Sequence, residues 1–135
     1  MLSLSNLKFN KPFTRRKANL KVNNSLKIAN TSVSVSVALN KTTNQQIETI
    51  RTALRRILKK QSKVFMQVTP IYSITSKPQQ VRMGKGKGSH AAWFFVVSPG
   101  SVISEFTKNH RNTVVKVNRK TKAKYPMKSA LLQKT

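Results

Sequence analysis

Val33, Val35, Val37 and Leu39 alternate with Ser34, Ser36 and Ala38, a period-two pattern that predicts a strand with one buried face. The period then changes. Ile47, Ile50, Leu54, Ile57 and Leu58 fall at helical spacing and make one apolar stripe. Thr43 and Gln46 stand where a capping box would open that helix, and Glu48 is expected near the positive end of its dipole. Val64, Met66 and Val68 predict a further strand between Lys63 and Tyr72, stopped near Pro70. Pro78 is expected to open a strand running into a glycine-rich loop. Ala91 to Ser98 reads as a well-buried strand, Pro99-Gly100 as a turn, and Val102, Ser104 and Phe106 as a paired return strand. From about Asn109 to Lys124 a basic helix fits, with Val114 and Val117 on one side. Its β-branched residues weaken it, and Pro126 ends it.

Residues 1–30 are polar and basic with scattered Leu, Phe and Ile, and are read as an extended arm ordered mainly by its partner. Helix and strands mix without a regular βαβ repeat. The expected fold is therefore α+β: an antiparallel sheet packed with one main amphipathic helix and a second, C-terminal helix. A single domain is expected over 31–135, carrying a loop at 82–90.

Charge changes the picture from fold to partner. Lys and Arg number 27 against two acids, Glu48 and Glu105, a formal charge of +25. A free domain with that charge repels itself and calls for a polyanion. The cations are spread along the whole chain, whereas a membrane-surface protein concentrates them on one face of an amphipathic helix. No apolar stretch approaches the roughly 18 residues of a membrane-spanning helix. The absence of cysteine excludes a disulfide framework and a thiolate metal site.

The most specific segment is Lys77-Pro78-Gln79-Gln80-Val81-Arg82-Met83-Gly84-Lys85-Gly86-Lys87-Gly88. Glycines at alternate positions let the backbone lie close against another surface. Arg82, Lys85 and Lys87 supply the charge that a phosphate surface needs. A nucleotide-binding loop is excluded by pattern: Ser89-His90 follows Gly88 where GxxxxGK[ST] would require other residues, and GxGxxG needs a different spacing. Two carboxylates are too few for a metal-dependent nuclease. A His90/His110 acid–base pair has no support beyond the presence of the two residues. Trp93, Phe94 and Phe95 fit a core strand, with Trp93 the candidate base contact. Arg51, Arg55, Arg56, Lys59 and Lys60 exceed what dipole compensation and solubility need on one helix, which favours RNA contact.

Lys77-Pro78, Val81 to Gly88, Trp93 and Pro99-Gly100 resemble the signature of the uL16 family of large-subunit ribosomal proteins. Thr43, Gln46-Ile47-Glu48, Arg51 and Lys60-Gln61 are similar to that family's helix, and Glu105 to its acid after the Pro-Gly turn. Ala123-Lys124-Tyr125-Pro126-Met127-Lys128 resembles its AKLPxK segment. Lys8-Phe9 and Lys11, with Arg15 and Arg16 following, are similar to its basic arm. The chain departs from the pattern in having Ser and Val from Ser32 to Leu39, and Ser62, where glycines are common.

The resemblance implies a structural constituent of the large ribosomal subunit, not an enzyme. It would bind ribosomal RNA near the base of the central protuberance and shape the A-site tRNA and peptidyl-transferase region. Lys8, Lys11, Arg15, Arg16, Lys17, Arg51, Arg55, Arg56, Lys59, Lys60, Lys77, Lys124 and Lys128 are the expected RNA-binding cations. Arg82, Met83, Gly84, Lys85, Gly86, Lys87 and Gly88 are the loop facing the functional core. The expected partners are large-subunit RNA, the A-site tRNA region and neighbouring ribosomal proteins. No cofactor, metal, membrane or homo-oligomer is expected. The bias toward Asn, Lys and Ser, with only four glycines, resembles organellar drift. A family arm that starts near Lys8 is expected to leave no room for a leader. Both point to an organelle-encoded mitochondrial protein, with bacterial cytoplasm or plastid as the alternative. Two rival readings lie outside the family: a general basic nucleic-acid-binding or compacting protein, and a small ribonuclease using His90 and His110.

Overall fold

The computed structural model describes residues 10–11, 31–59, 62–84, 86–107 and 111–133. Strand β1 (Thr31–Ser36) leads to β2 (Asn40–Thr43) and helix α1 (Asn44–Leu58). Strands β3 (Val64–Met66), β4 (Tyr72–Ser76), β5 (Ser89–Val97) and β6 (Val102–Thr107) follow. Helix α2 (Arg111–Thr121) runs into a 3-10 turn, Lys122–Lys124, and β7 (Ser129–Gln133) closes the described chain. The strands form two antiparallel sheets, ordered β3-β6-β1-β7 and β2-β5-β4, so the expected α+β fold holds with two sheets in place of one.

Helix α1 starts as its sequence dictates. Thr43 accepts from the Gln46 backbone N–H, and the Gln46 side chain accepts from the Thr43 N–H, so two otherwise orphaned donors are satisfied. Its stripe meets the two sheets: Ile47, Ile50, Leu54 and Leu58 are buried with Val97, Ile103, Phe106, Val114 and Val117, and Ile57 packs at the margin. Strand β6 lies between β1 and β3, and five of its six residues, Val102 to Phe106 with Glu105 included, are buried.

Four expectations need correction. The first strand ends at Ser36, and Val37 and Leu39 are exposed at 55% and 57%. Ser34 and Ser36 are buried there instead, under the segment that follows α2, where the Tyr125 hydroxyl meets Ser34 and the Met127 sulfur lies 3.2 Å from Ser36 Oγ. The strand entering the glycine loop is β4, which ends before Lys77, so Pro78 lies inside the loop and opens no strand. The alternation at Val64 gives only three strand residues, and Val68 is buried outside any strand. Strand β5 begins at Ser89, so Ser89 and His90 belong to the sheet and not to the loop. Of the amino-terminal arm only Asn10 and Lys11 are described, and both are exposed.

The segment after α2 is pinned by side chains that alternate in and out. Tyr125 and Met127 are buried, while Lys124 and Lys128 are exposed. The Tyr125 hydroxyl donates to Ser34 Oγ at 3.0 Å, and Ser34 Oγ lies 2.6 Å from Ser104 Oγ. Asn40 Nδ2 donates to the Pro126 carbonyl at 2.6 Å, and the Val37 N–H to the Lys128 carbonyl at 2.9 Å. Burial pushes the Tyr125 phenol above its ordinary value, and the hydrogen bonds to Ser34 and Ser104 offset part of that shift.

Tyr125→Phe should lower stability to urea by about 1 kcal/mol near neutral pH, the net worth of a buried hydrogen bond. The raised phenol favours the folded state only while it stays protonated. The unfolded chain ionises first, so the wild-type advantage should hold below about pH 10 and shrink above it. A wild-type-minus-variant difference that does not change with pH would contradict this.

Candidate nucleic-acid interface

Residues 77–88 leave β4 and return into β5 as a cationic hairpin loop. Pro78 to Val81 form a turn, with the Val81 N–H donating to the Pro78 carbonyl at 3.3 Å. Gly84 and Gly86 have φ values of +101° and +79°, a region costly for residues with a Cβ. Gly88 serves a different purpose. A Cβ there would stand 2.4 Å from the Ser76 carbonyl oxygen and 2.6 Å from its carbon, so the two strands can approach at the loop base only with glycine. Lys77 Nζ donates to the Gly84 carbonyl. Lys77, expected as an RNA contact, is exposed and through this bond straps the loop across its own mouth.

Val81 is 51% exposed and Met83 fully so, beside the exposed cations Arg82 and Lys87. Lys85 lies outside the described residues. At the base, Trp93 and His90 pack in a tilted contact, ring centroids 4.5 Å apart and planes inclined at 45°, and Ser73 Oγ lies 2.8 Å from His90 Nδ1. Phe94 is buried and Phe95 packs against the core, as the apolar run implied, while Trp93 stays half-buried beside the loop. His110 lies outside the described residues. Among those described, no group of His, Cys, Asp and Glu could hold a metal ion.

The helix cations divide. Arg51 donates from Nε and Nη2 to the Glu48 carboxylate, with Nε at 3.0 and 3.1 Å from its two oxygens. The Arg51 hydrogen bond holds the Glu48 carboxyl below its ordinary value. Glu48 therefore neutralises a neighbouring cation and stands beyond the first turn, which contains no acid. Arg55 and Arg56 are exposed in the last turn. Lys60, like Lys8, Arg15, Arg16 and Lys17, lies outside the described residues.

Arg56 and Lys59 reach an open cleft of about 880 Å³ between α1 and α2, where they meet Lys116, Lys120 and Lys124. Thr49, Thr52, Ala53, Ile57 and Thr113 complete its lining. Lys116 and Lys120 escape the sequence reading because only the fold sets α2 against α1; their spacing along α2 was the available signal. Lys59 caps α1 with φ 51° and ψ −139°, its N–H donating to the Arg55 carbonyl. That conformation mirrors an extended one and suits glycine, yet it is held by a lysine.

A model of the family described as ribosomal protein L16p/L10e matches residues 4–132. The chain belongs to that family. A large ribosomal subunit protein uL16 of Phytoplasma australiense is 39% identical over 94 residues, 68% of this chain and 67% of the relative. The protein of the same name from Protochlamydia amoebophila is 37% identical over 92 residues, 68% of this chain and 66% of its own. That from Akkermansia muciniphila is 49% identical over 63 residues, 47% of this chain and 45% of its own. The aligned stretch thus spans about two thirds of the first two relatives. Membership in this family gives the chain a structural part in the ribosome.

Gly88→Ala should accelerate amide hydrogen exchange at Ser76 and Ser89, the pair closing the loop base, while Gly86→Ala leaves that pair protected. Equal protection in both variants would remove the close-approach argument. Lys59→Gly should act with opposite signs on two readouts. It should raise resistance to urea by about 0.5–1 kcal/mol through relief of backbone strain and weaken binding to structured RNA. A loss of stability would show that the lysine is unstrained there.

Proposed function

We propose that this protein is a structural constituent of the large ribosomal subunit that binds its ribosomal RNA. On this reading the loop 77–88 projects toward the A-site tRNA and peptidyl-transferase region, near the base of the central protuberance. The observation that carries the reading is the loop itself. It is shut at its base by Gly88 and the Lys77 strap, and it presents Arg82, Met83 and Lys87 to the outside. A preformed cationic projection reaches into folded RNA without an ordering cost, and it recognises shape and backbone more than base sequence. Neighbouring ribosomal proteins are the other partners, and residues 1–30 act as the RNA-binding arm of a domain spanning 31–135.

Arg55, Arg56, Lys59, Lys124 and Lys128 are exposed cations suited to the phosphate backbone, and Lys11 joins them from the arm. Lys8, Arg15, Arg16, Lys17, Lys60 and Lys85 extend the same chemistry. Arg51 contributes less, since Glu48 holds it. For location we infer a mitochondrial ribosome, on the strength of the Asn-, Lys- and Ser-rich, glycine-poor composition. The relatives named above are bacterial, and a bacterial cytoplasmic or plastid ribosome is the alternative.

Replacing Arg82 and Lys87 together by Glu should leave the isolated fold intact by circular dichroism. In a high-salt sucrose gradient, large subunits containing the variant should be scarce or slow in peptide synthesis. Wild-type protein should co-sediment with the large subunit at salt that strips loosely held basic proteins. Release of the wild-type chain to the top of the gradient would sink the ribosomal reading and favour a nucleic-acid-coating protein.

A further inference from the structure

The cleft between α1 and α2 combines two kinds of polar group in one place. Five cations, Arg56, Lys59, Lys116, Lys120 and Lys124, line it without a carboxylate among the lining residues. Two threonines on its α1 wall have their protons committed. Thr49 Oγ1 donates to the Gln46 carbonyl at 2.8 Å, and Thr52 Oγ1 to the Glu48 carbonyl at 2.9 Å. A hydroxyl has one proton to give and two lone pairs to accept with, so toward a ligand in the cleft each oxygen can act only as an acceptor. Acceptors repel phosphate oxygens and welcome a donor. The lining includes no aromatic ring on which a base could stack, and its apolar members are Ala53 and Ile57.

A ligand that suits this wall carries repeated anions and, beside them, hydroxyl donors. The backbone of an RNA strand has both: phosphates for the cations and ribose 2′-hydroxyls for the threonine oxygens. A DNA strand has only the first. Resting on the ribosomal reading above, we infer that the α1–α2 cleft is a second RNA-backbone site, separate from the loop. It grips phosphates through Lys116 and Lys120 of α2 together with Arg56 and Lys59 of α1, and it distinguishes ribose through Thr49 and Thr52. The strained backbone of Lys59 at the rim fits a residue whose charge has a fixed task.

The chain has no cysteine, so single cysteines can carry a tethered iron–EDTA cleavage reagent. Full-length protein with Thr113→Cys in the cleft, and separately with Met83→Cys on the loop, is assembled with large-subunit ribosomal RNA and radical cleavage is mapped. The cleft probe should cut one short tract, distinct from the tract cut from the loop. Adding Lys116→Gln and Lys120→Gln should reduce the cleft cuts at least fivefold while the loop cuts persist. A DNA copy of the cleft tract should bind the wild-type protein at least tenfold more weakly than the RNA. Loop cuts without cleft cuts, or cleft cuts insensitive to the two lysines, would overturn the cleft site and leave the ribosomal reading standing. Equal affinity for the DNA copy would overturn the ribose discrimination. Absence of cuts from both probes would overturn the ribosomal reading itself.

Discussion

Self-repulsion is the constraint against which this fold is built. Twenty-seven cations share the chain with two carboxylates. One of these, Glu105, is buried in β6, and the other, Glu48, is engaged by Arg51. The exposed cations of the loop, the last turn of α1 and the α2 face thus have little acid of their own to neutralise them. What opposes them is apolar: the stripe of α1 closed against Val97, Ile103, Phe106, Val114 and Val117. Each fully buried aliphatic side chain contributes about 1.5–3 kcal/mol, and that cohesion lets the surface stay so strongly positive.

The same core decides which cations can cooperate. Helix α2 is held by Val114 and Val117, and the segment after it by Tyr125 on Ser34 and by Asn40 on the Pro126 carbonyl. These contacts fix Lys116, Lys120 and Lys124 opposite Arg56 and Lys59. The loop is positioned independently, by the β4–β5 pairing and the strap from Lys77. Two electropositive features thus stand on one scaffold, each with its own mechanical support.

Much of this was legible in the sequence. The α1 stripe and its capping box, the β5 run and the Pro-Gly turn are local patterns whose physics needs no partner. Strands β2 and β7 were missed because Asn40–Thr43 is polar throughout, and Ser129–Gln133 gains its place from β1 more than from its own composition. Val37 and Leu39 continued an alternation that the chain abandons when Ser36 hydrogen-bonds to the Pro-Gly turn through Ser101 and Gly100. The loop's chemistry could be read from residue types, but the Lys77 strap could not, since nothing local says which lysine faces inward. The cleft was invisible because its walls come from segments distant in the chain.

Lys116 and Lys120 oppose Arg56 and Lys59 only when α2 is docked. An extended chain carries the same charges without that convergence. Any polyanion that prefers the cleft therefore binds the folded form over the unfolded one, and by mass action its binding free energy adds to conformational stability. Neutralising the facing cations also removes part of the repulsion that works against docking. Folding and incorporation into a ribonucleoprotein are, for such a chain, two halves of one equilibrium. The stability measured in isolation is a lower bound on the stability of the protein in place.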